Sequence, residues 1–117
     1  MSEKDFIAIS KSVSRGAATL RKAHPELMQA FSSLGKAVYP DGVLDKKTKE
    51  LIALAIGIAI HCDGCIASHA KSCLDKGITR EEVVEAIGVA VHMGGGPAMV
   101  CGAEALEAYD QHMKDRL

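Results

Sequence analysis

Glu50-Leu51-Ile52-Ala53-Leu54-Ala55-Ile56-Gly57-Ile58-Ala59-Ile60-His61-Cys62-Asp63-Gly64-Cys65-Ile66-Ala67-Ser68-His69 is the stretch that decides the fold. Its first half is apolar on nearly every side of a helix, so it belongs in an interior or at a subunit interface. It is also about half the ~20 residues a membrane-spanning helix needs. One continuous helix would hold Glu50 ~18 Å from Cys62. If the chain instead reverses near Ile60, Glu50 and His69 are almost equidistant from the reversal. An antiparallel hairpin then lays the carboxylate beside the imidazole.

Helical periodicity continues on both sides of this hairpin, and no segment alternates with a period of two. Phe6, Ile9, Val13, Ala17 and Leu20 draw one stripe on a first helix. Pro25 suits the first position of a second helix, which runs through Leu27, Phe31 and Leu34 towards Tyr39. Pro40-Asp41-Gly42 is a turn, and Asp45 caps a third helix from about Lys46 to Ile60. A fourth begins near Cys62 and stops at Gly77. Thr79 to Glu82 reads as a capping box, with Ile78 and Val83 as its hydrophobic staple. The fifth helix it opens runs to about Met93. Gly94-Gly95-Gly96 then breaks the chain, and Pro97 opens a sixth helix through Val100, Leu106 and Tyr109. No strand precedes the glycine triplet and no Gly-Lys-Ser/Thr follows it, so it is a turn and not a phosphate loop. The expected fold is all-α, with about six helices in one domain over residues 1–117.

Composition agrees with helix-on-helix packing. Hydrophobic residues make up 48% of the chain, yet there is no Trp and only two Phe and two Tyr, so the core must be built from Ala, Ile, Leu, Val and Met. A formal net charge of −1 argues against a nucleic-acid partner, which requires concentrated Lys and Arg. Lys46, Lys47 and Lys49 are the one close group, and they read as a solvated helix start. Met1-Ser2-Glu3-Lys4-Asp5 is charged and leads into no long apolar run, so neither a signal peptide nor a membrane span is expected. A cytoplasmic location follows as the expectation. In that reducing setting four cysteines are poor candidates for structural staples and better ones for catalysis, metal binding or simple burial.

Cys62 and Cys65 stand three apart at a helix start, where they can form a disulfide within one turn. The unpaired N–H groups and partial positive charge of the helix N-terminus stabilise a thiolate there. His69 follows Cys65 by four residues and shares its helix face, so it can take the thiol proton and pass it to Glu50. Asp63 works the other way, since a carboxylate beside a thiol disfavours its ionised form. Cys73 extends the same face and reads as a small buried hydrophobe, as does Cys101 in the last helix. His61 either tunes Cys62 or is merely solvated. His92 and the methionines are expected to pack or to sit at an interface.

These residues resemble the AhpD-like alkylhydroperoxidases within the carboxymuconolactone decarboxylase superfamily. The shared signature is Glu50, eleven residues, Cys62-x-x-Cys65, three residues and His69. It is flanked by Leu44-Asp45, Lys49-Glu50-Leu51-Ile52-Ala53-Leu54, Ala67-Ser68-His69 and Gly77-Ile78-Thr79, and the likeness covers about residues 25 to 110. The resemblance implies an all-α homo-oligomer built from trimers or hexamers that reduces hydroperoxides at the expense of a thiol reductant. It also implies that Cys65 attacks the peroxide, Cys62 resolves the resulting sulfenic acid, and Glu50 and His69 carry the proton. Family peroxidases can hold a histidine between the cysteines, where this chain has Asp63-Gly64. The decarboxylase branch lacks the cysteine pair, so lactone decarboxylation is not implied. No organic cofactor and no metal is implied either.

Three other readings compete. The same pair serves a general disulfide reductase. Cys62, Cys65, His69 and Cys73 are soft zinc ligands, but on one straight helix they span ~16 Å against zinc–ligand bonds of ~2.0–2.3 Å, so a metal would need a ligand from elsewhere. A non-catalytic oligomeric module would carry an inert or redox-sensing pair.

Overall fold

Local capping chemistry marks most of the helix starts, and a computed structural model describing residues 4–117 shows where the chain takes them. Met1 to Glu3, in the charged start on which the expectation of no signal peptide rests, lie outside the described residues. The helices are α1 (Phe6–Ala23), α2 (Pro25–Val38), α3 (Lys46–Ala59), α4 (Asp63–Asp75), α5 (Arg80–Gly94) and α6 (Gly96–Asp115). There is no strand among the described residues. The Asp5 carboxylate accepts the Ala8 N–H to start α1, and Asp45 accepts from Thr48 to start α3. Thr79 and Glu82 form the reciprocal capping box of α5. The glycine triplet is used sparingly: Gly94 still belongs to α5, Gly96 already belongs to α6, and Gly95 alone turns the chain at φ 74°. None of these helices is long and apolar enough to cross a membrane.

Leu54 and Ile58 of α3, Ile66, Ala70 and Leu74 of α4, Val83 of α5 and Ala105 and Tyr109 of α6 build the core. Small side chains let α5 and α6 approach closely, and the Tyr109 hydroxyl donates to the Ile78 carbonyl at 2.8 Å. The α1 and α2 stripes behave differently. Phe6 is fully buried, but α2 buries no residue, and its main packing partner is α1. Leu27, Phe31, Leu34 and Val38 are therefore exposed along α2, Phe31 to 67%. The periodicity there is genuine, and no part of the described chain covers it.

The α3–α4 reversal falls where the hairpin requires. The His61 N–H donates to the Ile58 carbonyl and the Cys62 N–H to the Gly57 carbonyl, both at 3.1 Å. This is the Schellman pattern, with His61 in the left-handed position at φ 58°. The next residue, Cys62, is already the N-cap of α4. Only His61 thus stands between Ile60, the C-cap of the buried helix, and Cys62, the N-cap of the cysteine helix.

Candidate active site

Cys62 and Cys65 are joined by a disulfide across the first turn of α4, their Cα atoms 5.2 Å apart. The Cys65 N–H points at Cys62 Sγ at 3.2 Å, so the cysteine sulfur takes the capping place usually held by a side-chain oxygen. Once the disulfide is reduced, that donor and the helix dipole both act on the Cys62 sulfur. Gly57 lets α3 come this close: a Cβ there would stand 3.1 Å from Cys65 Cβ. The cysteines themselves are half-buried.

His69 lies one turn beyond Cys65, and its Nδ1 is hydrogen-bonded to Glu50 Oε2 across the hairpin. Glu50 is only 2% exposed. Its other oxygen, Oε1, accepts from Lys76 Nζ at 2.5 Å. Burial pushes the Glu50 carboxyl up, but the His69 and Lys76 hydrogen bonds and charges outweigh it and hold the group below its ordinary value. A carboxylate can only accept, so Nδ1 is the donor and the neutral ring keeps its lone pair on Nε2. That tautomer suits a base.

Lys76 and Tyr39 complete the cluster, and the sequence marked neither as a site residue. The Lys76 ammonium lies 5.3 Å from the centroid of the Tyr39 ring, which itself sits 6.3 Å from the His69 ring. Lys76 follows His69 by seven residues, two turns along one face, and that spacing was a legible signal. Tyr39 carried none, because it reaches the site through the packing of the α2 end. Lys49 makes that placement. Its Nζ donates to the Val38 and Pro40 carbonyls at 2.9 Å and 2.8 Å, so it is a C-cap clamp where a merely solvated lysine was expected. Lys47 Nζ likewise reaches the Gly77 carbonyl, at 3.5 Å.

The remaining thiols divide by environment. Cys73 is fully buried, and burial together with the Glu50 charge pushes its thiol up to about 12. It is the small hydrophobe the sequence suggested. Cys101 is half-buried, more open than a core residue. His92 and Met93 face outward, as does His61. His112 was not singled out in the sequence but is buried, with Nε2 on the Ala67 carbonyl at 3.0 Å, and burial lowers its basicity. It ties α6 to α4 behind the cysteines. No three His, Cys, Asp or Glu side chains among the described residues gather as a metal-ligand set. An apolar groove of about 320 Å³, lined by Phe31, Leu34, Gly35, Val38 and Tyr39, opens beside His69.

With this geometry in place, the comparison with known proteins is specific. Residues 25–108 match the carboxymuconolactone decarboxylase family. The chain belongs to that family. A crystal structure of an apo carboxymuconolactone decarboxylase family protein from Legionella pneumophila is 50% identical. It covers 92% of this chain and 96% of its own, with a TM-score of 0.89. A family protein from Thermotoga maritima, whose description suggests involvement in an antioxidative response, is 33% identical over 75% of this chain and 91% of its own, with a TM-score of 0.69. The alkyl hydroperoxide reductase AhpD of Corynebacterium kroppenstedtii is 36% identical over 52 residues, which are 44% of this chain and 30% of that protein. The fold and family are thereby shown.

Proposed function

We propose that this family member is a thiol-dependent peroxidase, in which Cys62 and Cys65 reduce a hydroperoxide and Glu50 and His69 move the proton. The observation that carries the reading is the Cys62–Cys65 disulfide at the start of α4, one turn before a histidine fixed by a buried carboxylate. The partial likeness to AhpD and the antioxidative description of the Thermotoga relative point the same way.

In the reduced protein, His69 Nε2 takes the Cys65 proton while Glu50 holds the ring and steadies its positive charge. The Cys65 thiolate attacks the distal oxygen of the hydroperoxide. An S–O bond forms, the O–O bond breaks, and the alkoxide leaves with the proton returned from His69. Cys65 is now a sulfenic acid and the peroxide is an alcohol. Cys62, whose thiolate form is supported by the Cys65 N–H, then attacks the Cys65 sulfur, and the proton it has given up goes to the departing hydroxide, which leaves as water and gives the observed disulfide. An external dithiol resets the pair: one of its sulfurs attacks Cys65 and Cys62 leaves as the stabilised thiolate, then its second sulfur attacks the first, releases Cys65 and leaves the reductant as a disulfide. The proposed assembly is homo-oligomeric, with further copies of this chain covering the apolar side of α2 and α3.

The test is a thiol count on the fully reduced protein before and after one equivalent of an organic hydroperoxide, followed by peptide mapping. Two thiols should disappear per chain and reappear as a Cys62–Cys65 linkage. Cys65→Ser should abolish turnover, whereas Cys62→Ser should permit one oxidation without recycling. Four intact thiols after peroxide treatment, with the pair still able to reduce a small disulfide, would replace the peroxidase reading by the reductase one.

A further inference from the structure

The amino-terminal segment lies outside the family match at residues 25–108, yet it reaches the cysteine turn. Lys4 Nζ stands 3.2 Å and 3.0 Å from the two Asp63 carboxylate oxygens and 2.8 Å from Glu104 Oε2 on α6. The segment is anchored independently of that ammonium. Gln111 Nε2 donates to the Lys4 carbonyl at 3.0 Å, the Phe6 N–H donates to Gln111 Oε1 at 2.7 Å, and the Phe6 side chain is fully buried. Val13 of α1 also lies against the turn, since a Cβ on Gly64 would come within 2.9 Å of Val13 Cγ2.

Asp63 and Glu104 without a cation would set two negative charges beside the first turn of α4. Asp63 is the worse placed, being the residue next to Cys62 and inside the redox motif. Its carboxylate offsets the support that the helix N-terminus gives a thiolate. Cys101, on α6 three residues before Glu104, sits in the same field. Burial and then Glu104 raise its thiol, Asp63 adds to the rise, and Lys4 opposes it. The titratable groups on the other side are His61 at the turn and His69, with Glu50, Lys76 and Tyr39 gathered around it.

We propose that Lys4 is a positioning residue of the redox site: its ammonium neutralises Asp63 within Cys62-x-x-Cys65, so the amino-terminal segment sets the reactivity of the pair. The inference rests on the redox reading above and explains how a chain with an acid inside the motif keeps a reactive thiol. It acts through charge, so it is tunable by salt.

The experiment is the pH profile of iodoacetamide alkylation of the reduced full-length protein, read at the faster thiol of the pair by peptide mapping. Wild type is compared with Lys4→Met, Lys4→Arg and Asp63→Asn. At about 0.01 M ionic strength, where charges act over about 30 Å, Lys4→Met should react about two- to fivefold more slowly near neutral pH, with its profile displaced to higher pH. Lys4→Arg should retain the wild-type profile, and Asp63→Asn should move it to lower pH. The gap between Lys4→Met and wild type should close at about 1 M salt. Superimposed Lys4→Met and wild-type profiles at low salt would overturn the proposal. So would an equal loss in Lys4→Met and Lys4→Arg that salt leaves unchanged, because that pattern reports lost packing and not lost charge. A wild-type pair that titrates like ordinary cysteine counts against the redox reading instead, and the displacement caused by Lys4→Met stays measurable on it. Should Lys4→Met fail to fold, Asp63→Asn and the salt series on wild type carry the same decision.

Discussion

At the scale of single residues, Glu50 is the group on which most depends. It is buried, yet charged, and is held so by His69 on one oxygen and Lys76 on the other. Glu50→Gln keeps the shape and removes the charge, leaving the Lys76 ammonium beside a neutral amide. Turnover should fall about a hundredfold, in the range of lost general acid–base catalysis, and the fold should lose about 1–3 kcal/mol. The pH dependence gives the sign. A carboxyl whose folded value lies below its unfolded one stabilises the fold fully above the ordinary carboxylate range, and that contribution disappears as pH falls through the depressed value. Urea midpoints of wild type and Glu50→Gln should therefore differ most near neutral pH and converge in acid. A constant gap across that range would mean that Glu50 acts by packing and not by charge. The sequence disclosed the Glu50–His69 pair because a hairpin makes it inevitable once the reversal is located. It could not disclose Tyr39, which depends on Lys49 clamping the end of a separate helix.

Between elements, the decisive contact is the crossing of α3 over the start of α4. Gly57 is helical, so Ala would normally gain up to about 1 kcal/mol there. Its added methyl would instead meet Cys65 Cβ at 3.1 Å and the Cys65 carbonyl carbon at 3.7 Å, and neither atom is the far end of a flexible side chain. Overpacking of this kind costs about 1–3 kcal/mol, so Gly57→Ala should be net destabilising and should slow closure of the Cys62–Cys65 disulfide. Gly16 is the control, because nothing lies within 4 Å of a Cβ there and Ala should leave both properties intact or slightly improved. Denaturant midpoints and the rate of disulfide formation after peroxide addition separate the two outcomes. The helix order and the capping box were legible because caps are local chemistry. The end of α3 was less so: Gly77 announces its left-handed turn, whereas His61 takes the same conformation without the residue type that signals it. The tight approach at Gly57 is likewise a tertiary fact with no periodic signature.

For the whole molecule, the question is what covers the apolar side of α2 and α3. Leu27, Phe31, Leu34 and Val38 on α2, and Ile52 and Ile56 on α3 with Ile60 at its C-cap, are all exposed, and grooves on either side of Tyr39, one of them beside His69, join the two sets. Periodicity showed that these stripes exist but could not show what they face, since an amphipathic helix reads alike whether its partner is its own chain or another copy. Apolar surface on this scale is rarely left to water, and each such side chain gains about 1.5–3 kcal/mol on full burial. A 12.4 kDa chain should thus run in light scattering at a multiple of its own mass, a trimer or hexamer being the form the family resemblance implies. Phe31→Glu tests the face directly. Phe31 is already 67% exposed, so the substitution costs the isolated chain within about 0.5 kcal/mol, while burying a carboxylate between copies costs several times that. The mass should fall towards 12.4 kDa with helical content unchanged, and turnover should fall with it, because the groove beside His69 loses its cover. A wild-type chain that stays at 12.4 kDa at every concentration would free this face from self-association and make the groove an open surface.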